Sequence, residues 1–374
     1  MAPTATTLLA SATATSTASA TCITVAPGKN GYLPPDSCDV LLYYVPSFAA
    51  AIFFCVLYGL TTIMHLVQAF IYKKPYAWVV TMGSAWELIA FTFRALESRQ
   101  QNNENYLTIF TIFFLLAPIW INAFLYMTLG RMIYYYHPHK KLAGISAQRY
   151  GLIFVTLDII AFLVQLAGAS MTSGTDTETK IVLLGLHIYM GGIGMQEFFI
   201  LCFLGLFIHL HRIIYRMEHH GELAIDKVQG AFSWRWLFYS VYFVLGMITI
   251  RIIFRIAQYA QGTSSTNPVL THEWYEYVFD AVPMFVGLVA LNIFHPGRVL
   301  QGPDSTFPKK SRAEKQELKA QKKAMKLEKK MEKTRLKQKS GEPVEADSSH
   351  FYELRDGPVQ VPDANVGSGR SYNV

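Results

Sequence analysis

Residues 43–70 read YYVPSFAAAIFFCVLYGLTTIMHLVQAF, a stretch without a single Asp, Glu, Lys or Arg. A helix needs about 20 predominantly apolar residues to cross the hydrocarbon of a bilayer, and this run supplies them before Lys73-Lys74-Pro75 closes it. Six more stretches of the same kind follow at 76–97, 107–134, 150–171, 181–208, 234–260 and 275–295. Short polar linkers separate them, such as SRQQNNEN at 98–105 and TSGTDTETK at 172–180. Trp and Tyr gather near the expected ends (Tyr43, Tyr44, Trp78, Tyr106, Trp234, Trp236, Trp274, Tyr275), as interfacial belts do.

Composition agrees with this reading. Of 374 residues 52% are hydrophobic and 16% charged, whereas a soluble domain carries about a quarter charged residues. Charge is sparse from Leu41 to His295 and crowded after Gly297. The expected fold is all-α: a polytopic membrane protein of seven transmembrane helices. Its divisions are a Ser/Thr-rich segment at 1–40, a membrane domain at 41–297, and a basic tail at 298–374 that is helical at 309–339 and disordered beyond.

Basic residues set the orientation. One set of connections holds Lys73, Lys74, Lys140, Lys141, Arg149, Arg212, Arg216 and Lys227, while the other, with the N-terminal segment, holds Lys29, Arg99 and Lys180. The richer side faces the cytosol, so the N-terminus is expected outside and the C-terminus in the cytosol. Residues 1–21 lack the basic and apolar regions of a cleavable signal. Cys22 and Cys38, both on the oxidising side in this arrangement, are candidates for a disulfide, with two free thiols as the alternative.

Charges within the spans point to function. Glu87, Arg94, Asp158, Glu197, Arg251, Arg255, Glu276 and Asp280 all fall there, each costing roughly 2.5–3.5 kcal/mol at the bilayer centre. Left unpaired, together they would outweigh the roughly 5–15 kcal/mol by which proteins are stable, so most must pair or line a wet cavity. Arg251 and Arg255 share a helix face that Gln258 continues, and Glu273, Glu276 and Asp280 follow an i, i+3, i+7 pattern. These predict an Arg–carboxylate cluster between the last two spans, either structural or gating, in which guanidinium geometry suits bidentate pairing. Glu87 and Arg94 lie seven apart on one face of the second span. Nearer mid-membrane come Glu87, Asp158, Gln165, His187, Gln196 and Glu197. Acidic groups at that depth mark substrate or proton pathways, which favours Asp158 and Glu87 as cavity residues.

Other chemistry finds little support. His65, His209 and His295 fall near the cytosolic ends of their spans, but without His-Glu-x-x-His they read better as hydrogen-bonded interfacial histidines than as a zinc set. No Gly-x-x-x-x-Gly-Lys-Ser/Thr loop or Gly-x-Ser-x-Gly elbow is present. No cofactor, metal or enzymatic step is expected. The lysine-rich tail reads as a solvated helix or as a contact for anionic lipid; a membrane tether argues against nucleic acid. Oligomeric state is open.

The residues also carry a resemblance. Tyr44-Val-Pro-Ser47 and His65 are followed by Glu87 with Arg94, Ala117-Pro118, Tyr126 and Leu129-Gly-Arg131. Next come Phe154, Asp158, Gln165, Gly168, Gly185 and Gln196, then Arg251-x-x-Phe-Arg255, Tyr259, Gly262, His272-Glu273, Tyr277, Phe279-Asp280, Met284 and His295-Pro-Gly297. In this order they resemble the fungal lipid-translocating exporter family, seven-span proteins linked to 7-aminocholesterol resistance and sphingoid long-chain-base release. The chain departs from that pattern with Gln258 in place of Glu, and with Ala90-Phe91 in place of Gly-Tyr. The resemblance implies export or flipping of an amphipathic lipid, or resistance to a toxic one, at the plasma membrane. On that reading Glu87, Asp158, Gln165 and Gln196 line the path, while Arg94, Arg251, Arg255, Glu273, Glu276 and Asp280 form a gate or structural ion pairs. A seven-span receptor is the alternative, though no Asp-Arg-Tyr follows the third span and no Asn-Pro-x-x-Tyr lies in the seventh. A membrane metal-dependent hydrolase comes third.

Overall fold

The computed structural model describes residues 24–34, 37, 41–172, 179–223, 233–260, 262, 267–302, 305, 307–308 and 312–339. Cys22 and Cys38 lie outside the described residues, as does the chain beyond 339. Among the described residues, seven helices are long and apolar enough to cross a membrane. They are α1 (Phe48–Tyr72), α2 (Trp78–Glu97), α3 (Glu104–Tyr136), α4 (Ala147–Thr172), α5 (Thr179–His219), α6 (Trp234–Ala260) and α7. The last is composite: one turn at Trp274–Glu276, a π-helical turn at Tyr277–Ala281, and an α-helix at Val282–Ile293.

Local chemistry explains the ends. The Ser47 side chain accepts from the Ala50 N–H at the head of α1, and the Asn103 side chain accepts from the Asn105 N–H at the head of α3. Lys73, in the left-handed region (φ 50°), stops α1. Between α3 and α4, β1 (Lys141–Leu142) pairs with β2 (Ile145–Ser146) across Ala143 and Gly144, both at positive φ as a two-residue hairpin requires. α5 runs eleven residues past the apolar stretch, because Arg212, Arg216 and His219 extend it beyond the hydrocarbon-length core.

The burial pattern is inside-out. On α1 the buried positions are Ala51, Phe54, Tyr58, Thr61, His65 and Gln68, spaced alternately three and four. Phe53, Val56, Leu60, Ile63 and Phe70 face outward, Phe70 at 73% exposure. α4 repeats this, burying Tyr150, Phe154, Asp158, Gln165 and Gly168 while Leu152 is 72% exposed. Water would penalise such a surface; hydrocarbon requires it. Each helix packs on its sequence neighbour, and α7 returns to α1, closing the bundle. α4 and α5 approach most closely at glycines: a Cβ on Gly168 would lie 2.4 Å from the Tyr189 nitrogen, and one on Gly185 2.8 Å from the Gly168 oxygen. Close backbone contact through small residues is how membrane helices gain dispersion energy.

Residues 308–374 form a separate unit. Its described part is Pro308 and the helix α8 (Arg312–Lys339), on which Met325, Leu327 and Met331 are exposed.

Candidate functional site

The ionic residues of α2, α6 and α7 meet at one end of the bundle, the end bearing the α2–α3 and α6–α7 connections. The π turn of α7 carries Asp280, which is fully buried. Its carboxylate receives the Arg251 Nε of α6 on one oxygen, and the Arg255 Nε lies 2.5 Å from the other. π-helical turns concentrate at functional sites because they re-aim one side chain out of register. Arg255 also reaches Glu276 at 3.8 Å, and its Nη1 donates to the Gln258 side chain at 3.2 Å. That amide offers an acceptor without a charge. Arg251 donates further to the Phe114 carbonyl on α3 at 3.2 Å.

α2 supplies the third guanidinium. Arg94 bonds Glu97 at 2.9 Å and reaches Glu273 at 3.3 Å and Glu276 at 3.6 Å. It also donates to the Tyr44 hydroxyl and lies 4.9 Å from the centre of the Phe110 ring. The Ser47 N–H donates to Glu273 at 2.8 Å, which ties the approach to α1 into the same network. Burial pushes the Glu273 carboxyl up from its ordinary value, with Arg94 opposing; burial likewise raises the Tyr44 phenol.

These groups surround a cavity of about 220 Å³. Arg94, Arg255, Gln258, Glu276, His272, Tyr44 and Tyr259 furnish its polar wall, and Leu107, Phe110, Phe114 and Leu270 its apolar one. A second cavity of about 100 Å³ lies between α3, α4, α5 and α6 and shares Thr111, Arg255 and Tyr259 with the first. Its remaining lining is mostly Leu115, Ala169, Leu186 and Tyr189. The larger chamber thus adjoins a more apolar one across Thr111, Arg255 and Tyr259.

The mid-bundle residues lie apart from both cavities. Asp158 on α4 is fully buried, with one oxygen accepting from the Asn122 amide and the Tyr126 hydroxyl of α3, each at 3.0 Å. The Gln165 amide donates to the Gln196 carbonyl oxygen at 3.0 Å, linking α4 to α5. Glu197 turns the other way and accepts from Thr249 of α6 at 3.1 Å. His187 is exposed. Glu87 does not reach Arg94: it is fully buried, and neither of its oxygens has a hydrogen-bond partner.

The histidines differ from the sequence expectation. His65 and His295 are completely buried in the bundle; His295 Nδ1 accepts from the Gly297 N–H at 3.0 Å, as an ordinary hydrogen-bonded histidine does, while its Nε2 has no side-chain or backbone partner. His209 is exposed. Among the described residues no group of three His, Cys, Asp or Glu side chains could hold a metal.

Glu97, Asn122 and the ring of Phe114 escaped the sequence reading. The i, i+3 spacing of Arg94 and Glu97 carried a signal. Asn122 and Phe114 did not, because what they touch is set by helix packing.

The model of the RTA1-like protein family matches residues 80–303, from α2 to just past α7. The chain belongs to this family. The probable lipid transporter atnI of Emericella nidulans is 57% identical over 309 residues, covering 82% of this chain and 81% of that protein. The sphingoid long-chain base transporter RSB1 of Saccharomyces cerevisiae is 26% identical, over 71% of this chain and 75% of its own length. Protein RTA1 of the same yeast is also 26% identical, over 68% of this chain and 84% of its own. No solved structure matches the chain. The family resemblance read from the residues is therefore borne out, and the RTA1-like body includes every ionic residue of the cavity wall.

Proposed function

We propose that this RTA1-like protein moves an amphipathic lipid across the bilayer, a sphingoid base or a sterol-like toxic lipid, and thereby confers resistance to it. The observation that carries this reading is the polar chamber itself, where Glu276 and Arg255 stand 3.8 Å apart inside a wall of Tyr, Phe and Leu side chains. The lipid-transporter names of its relatives agree. Glu276, whose oxygens face Arg255 on one side and Arg94 with the Tyr44 hydroxyl on the other, pairs with an ammonium by exchanging one of these long contacts for it, while Arg255 and Gln258 offer donors and an acceptor to hydroxyls. At about 220 Å³ the chamber is below the roughly 300–1,000 Å³ of sites that enclose a drug-sized ligand. It takes a head group and leaves the tail in the apolar cavity or in lipid. Desolvating an amine is costly unless it is paired, and this chamber provides the pairing.

In this reading the chamber faces outward, with the N-terminus outside and the Lys-rich tail in the cytosol, where it contacts anionic lipid. The division at 1–40, 41–297 and 298–374 follows, and the plasma membrane is the expected site. Glu87, Asp158, Gln165 and Gln196 are the polar stations deeper along the path; the Arg251–Asp280–Arg255 group, with Arg94 and Glu273, is the gate. No enzymatic step is assigned.

Equilibrium binding of a fluorescent sphingoid base to purified protein tests the head-group site. A charge-assisted hydrogen bond contributes about 1.5–3 kcal/mol, so Glu276→Gln should weaken binding by about ten- to a hundredfold. A neutral N-acylated analogue should bind the wild-type protein weakly. Equal binding of amine and analogue, unchanged by Glu276→Gln, overturns the site.

A further inference from the structure

The groups that the cavity does not use line up along one seam. Three hydrogen bonds set the register of α1, α2 and α7 there. The Tyr58 hydroxyl donates to the Ala281 carbonyl at 2.8 Å, Thr62 and Ser84 share a bond of 2.7 Å, and the Gln68 amide donates to the Asn292 carbonyl at 2.8 Å. Glu87 follows Ser84 by three residues and His65 follows Thr62 by three, so each stands one turn from a cross-link; His295 lies three residues after Asn292, just past the end of α7. In depth the order is Asp280, Glu87 with Tyr58, Thr62 with Ser84, then His65, and last His295. Asp280 lies in the π turn at the head of α7, and His295 lies just beyond its last residue, Ile293, at the other end.

Their common feature is unmet hydrogen bonding. Both Glu87 oxygens, the Gln68 Oε1, the Asn292 Oδ1 and the His295 Nε2 are buried without a partner, and the buried His65 ring has only the Leu288 backbone within reach. Asp158, also fully buried, differs in part: two donors hold its Oδ2, while its Oδ1 has no partner. Buried polar atoms are satisfied by protein or by ordered water. A seam that clusters so many of them is polar enough to bind water with two to four partners each. Chains of Asp, Glu and His inside membrane proteins mark proton relays.

We propose that Glu87, His65 and His295 form a proton path from the ion-paired chamber to the opposite face of the bundle, making this protein a proton–lipid exchanger. The proposal rests on the lipid-transport reading and supplies its driving force. Glu87 stands in the field of Arg251, Arg255 and Asp280, with the Tyr58 phenol beside it. His65 faces His295 and the backbone of Leu288. Arg298 and Lys74 lie near His295, whose ring stacks on Tyr72 at 5.0 Å. A proton entering through the chamber neutralises Glu87, and Arg251 and Arg255 lose one of their counter-charges. Arg255 then competes for Glu276 and displaces the lipid ammonium held there. The proton leaves Glu87 by way of water in the seam and the Thr62–Ser84 hydroxyls to His65, then His295, and out at the far face, restoring the carboxylate. One proton crosses for each cation moved the other way, so charge balances.

Purified full-length protein in vesicles, with fluorescent sphingosine as probe and a trapped pH dye, tests this. Protein-free vesicles give the redistribution of free amine that a pH gradient drives by itself. Above that level, a gradient of one pH unit should speed lipid movement several-fold, and adding lipid should drive proton flux. Glu87→Gln should lose both responses, and Glu87→Asp should keep part of each. Lipid movement that is present in the wild type but indifferent to the gradient, with no proton flux, overturns the exchange while leaving transport intact. No lipid movement under any condition overturns the transport reading and the exchange together. The wild-type comparison decides even where a variant fails to fold.

Discussion

Arg94 and Glu273 are 179 residues apart in sequence and 3.3 Å apart in the fold. That pair fastens the end of α2 to the head of α7, and Glu273 in turn accepts from the Ser47 N–H before α1. Three helix ends are thereby held around one chamber, in a place where the surrounding Tyr and Phe rings limit water. Arg94 is central because it meets Glu97, Glu273, Glu276 and Tyr44 at once.

Removing it leaves several acidic groups without their cation. Breaking a buried ion pair from one side costs about 3–5 kcal/mol. Arg94→Met is therefore expected to lower the melting temperature of the detergent-solubilised protein by several degrees. Arg94→Lys, which keeps the charge but not the planar fork, should recover only part of it. An unchanged melting curve for Arg94→Met would show that the network holds nothing together.

Asp158→Asn keeps the shape that accepts from Asn122 and Tyr126 and removes the charge. Lipid efflux or resistance in cells should be lost while surface abundance stays at the wild-type level. Normal efflux removes Asp158 from the path.

Much of this was legible in the sequence, and the limits have physical causes. The spans follow from hydrocarbon length, so α6 begins and ends where its apolar run does, whereas α5 continues because helix formation does not stop at the lipid boundary. Arg251, Arg255 and Asp280 could be paired in advance from charge cost and helical spacing. Their sharing of one carboxylate depends on the π turn at Tyr277–Ala281, which no periodicity announces. Glu87 and Arg94 share a helix face in sequence yet have different neighbours, since Arg94 is drawn to α7 and Glu87 to the seam with α1. The histidines misled for a related reason: position near a span end says nothing about which side of the helix is covered, and His65 and His295 lie on the covered side.

The α4–α5 contact allows a steric test. A side chain at residue 168 meets the Tyr189 backbone at 2.4 Å, and backbone cannot give way as a flexible side chain does. Gly168→Val should abolish accumulation of folded protein, measured by size-exclusion of a fluorescent fusion. Gly191→Ala, where nothing lies within 4 Å of the added carbon, should leave the profile unchanged. Equal profiles for Gly168→Val and wild type would contradict the close helix approach.

The Glu273 carboxyl gives a pH dependence. Burial raises its pKa in the folded protein, so the folded state binds the proton more tightly than the unfolded one. Its contribution to stability is full below the ordinary carboxylate range and is lost as the pH rises through the raised value. Glu273→Gln should flatten that part of the melting temperature–pH curve. A wild-type slope of the opposite sign, removed by the same substitution, would mean that the Arg94 pairing outweighs burial.

Transport of an amphipathic lipid between leaflets by this chain alone is tested most directly in vesicles. The direct measurement loads a fluorescent sphingoid base into the inner leaflet of vesicles containing only the purified protein, and follows its exposure to an impermeant quencher outside. Movement well above the protein-free rate, reduced about tenfold or more by Glu276→Gln, is the expected result. A rate equal to that of protein-free vesicles, from protein that melts cooperatively, would contradict it.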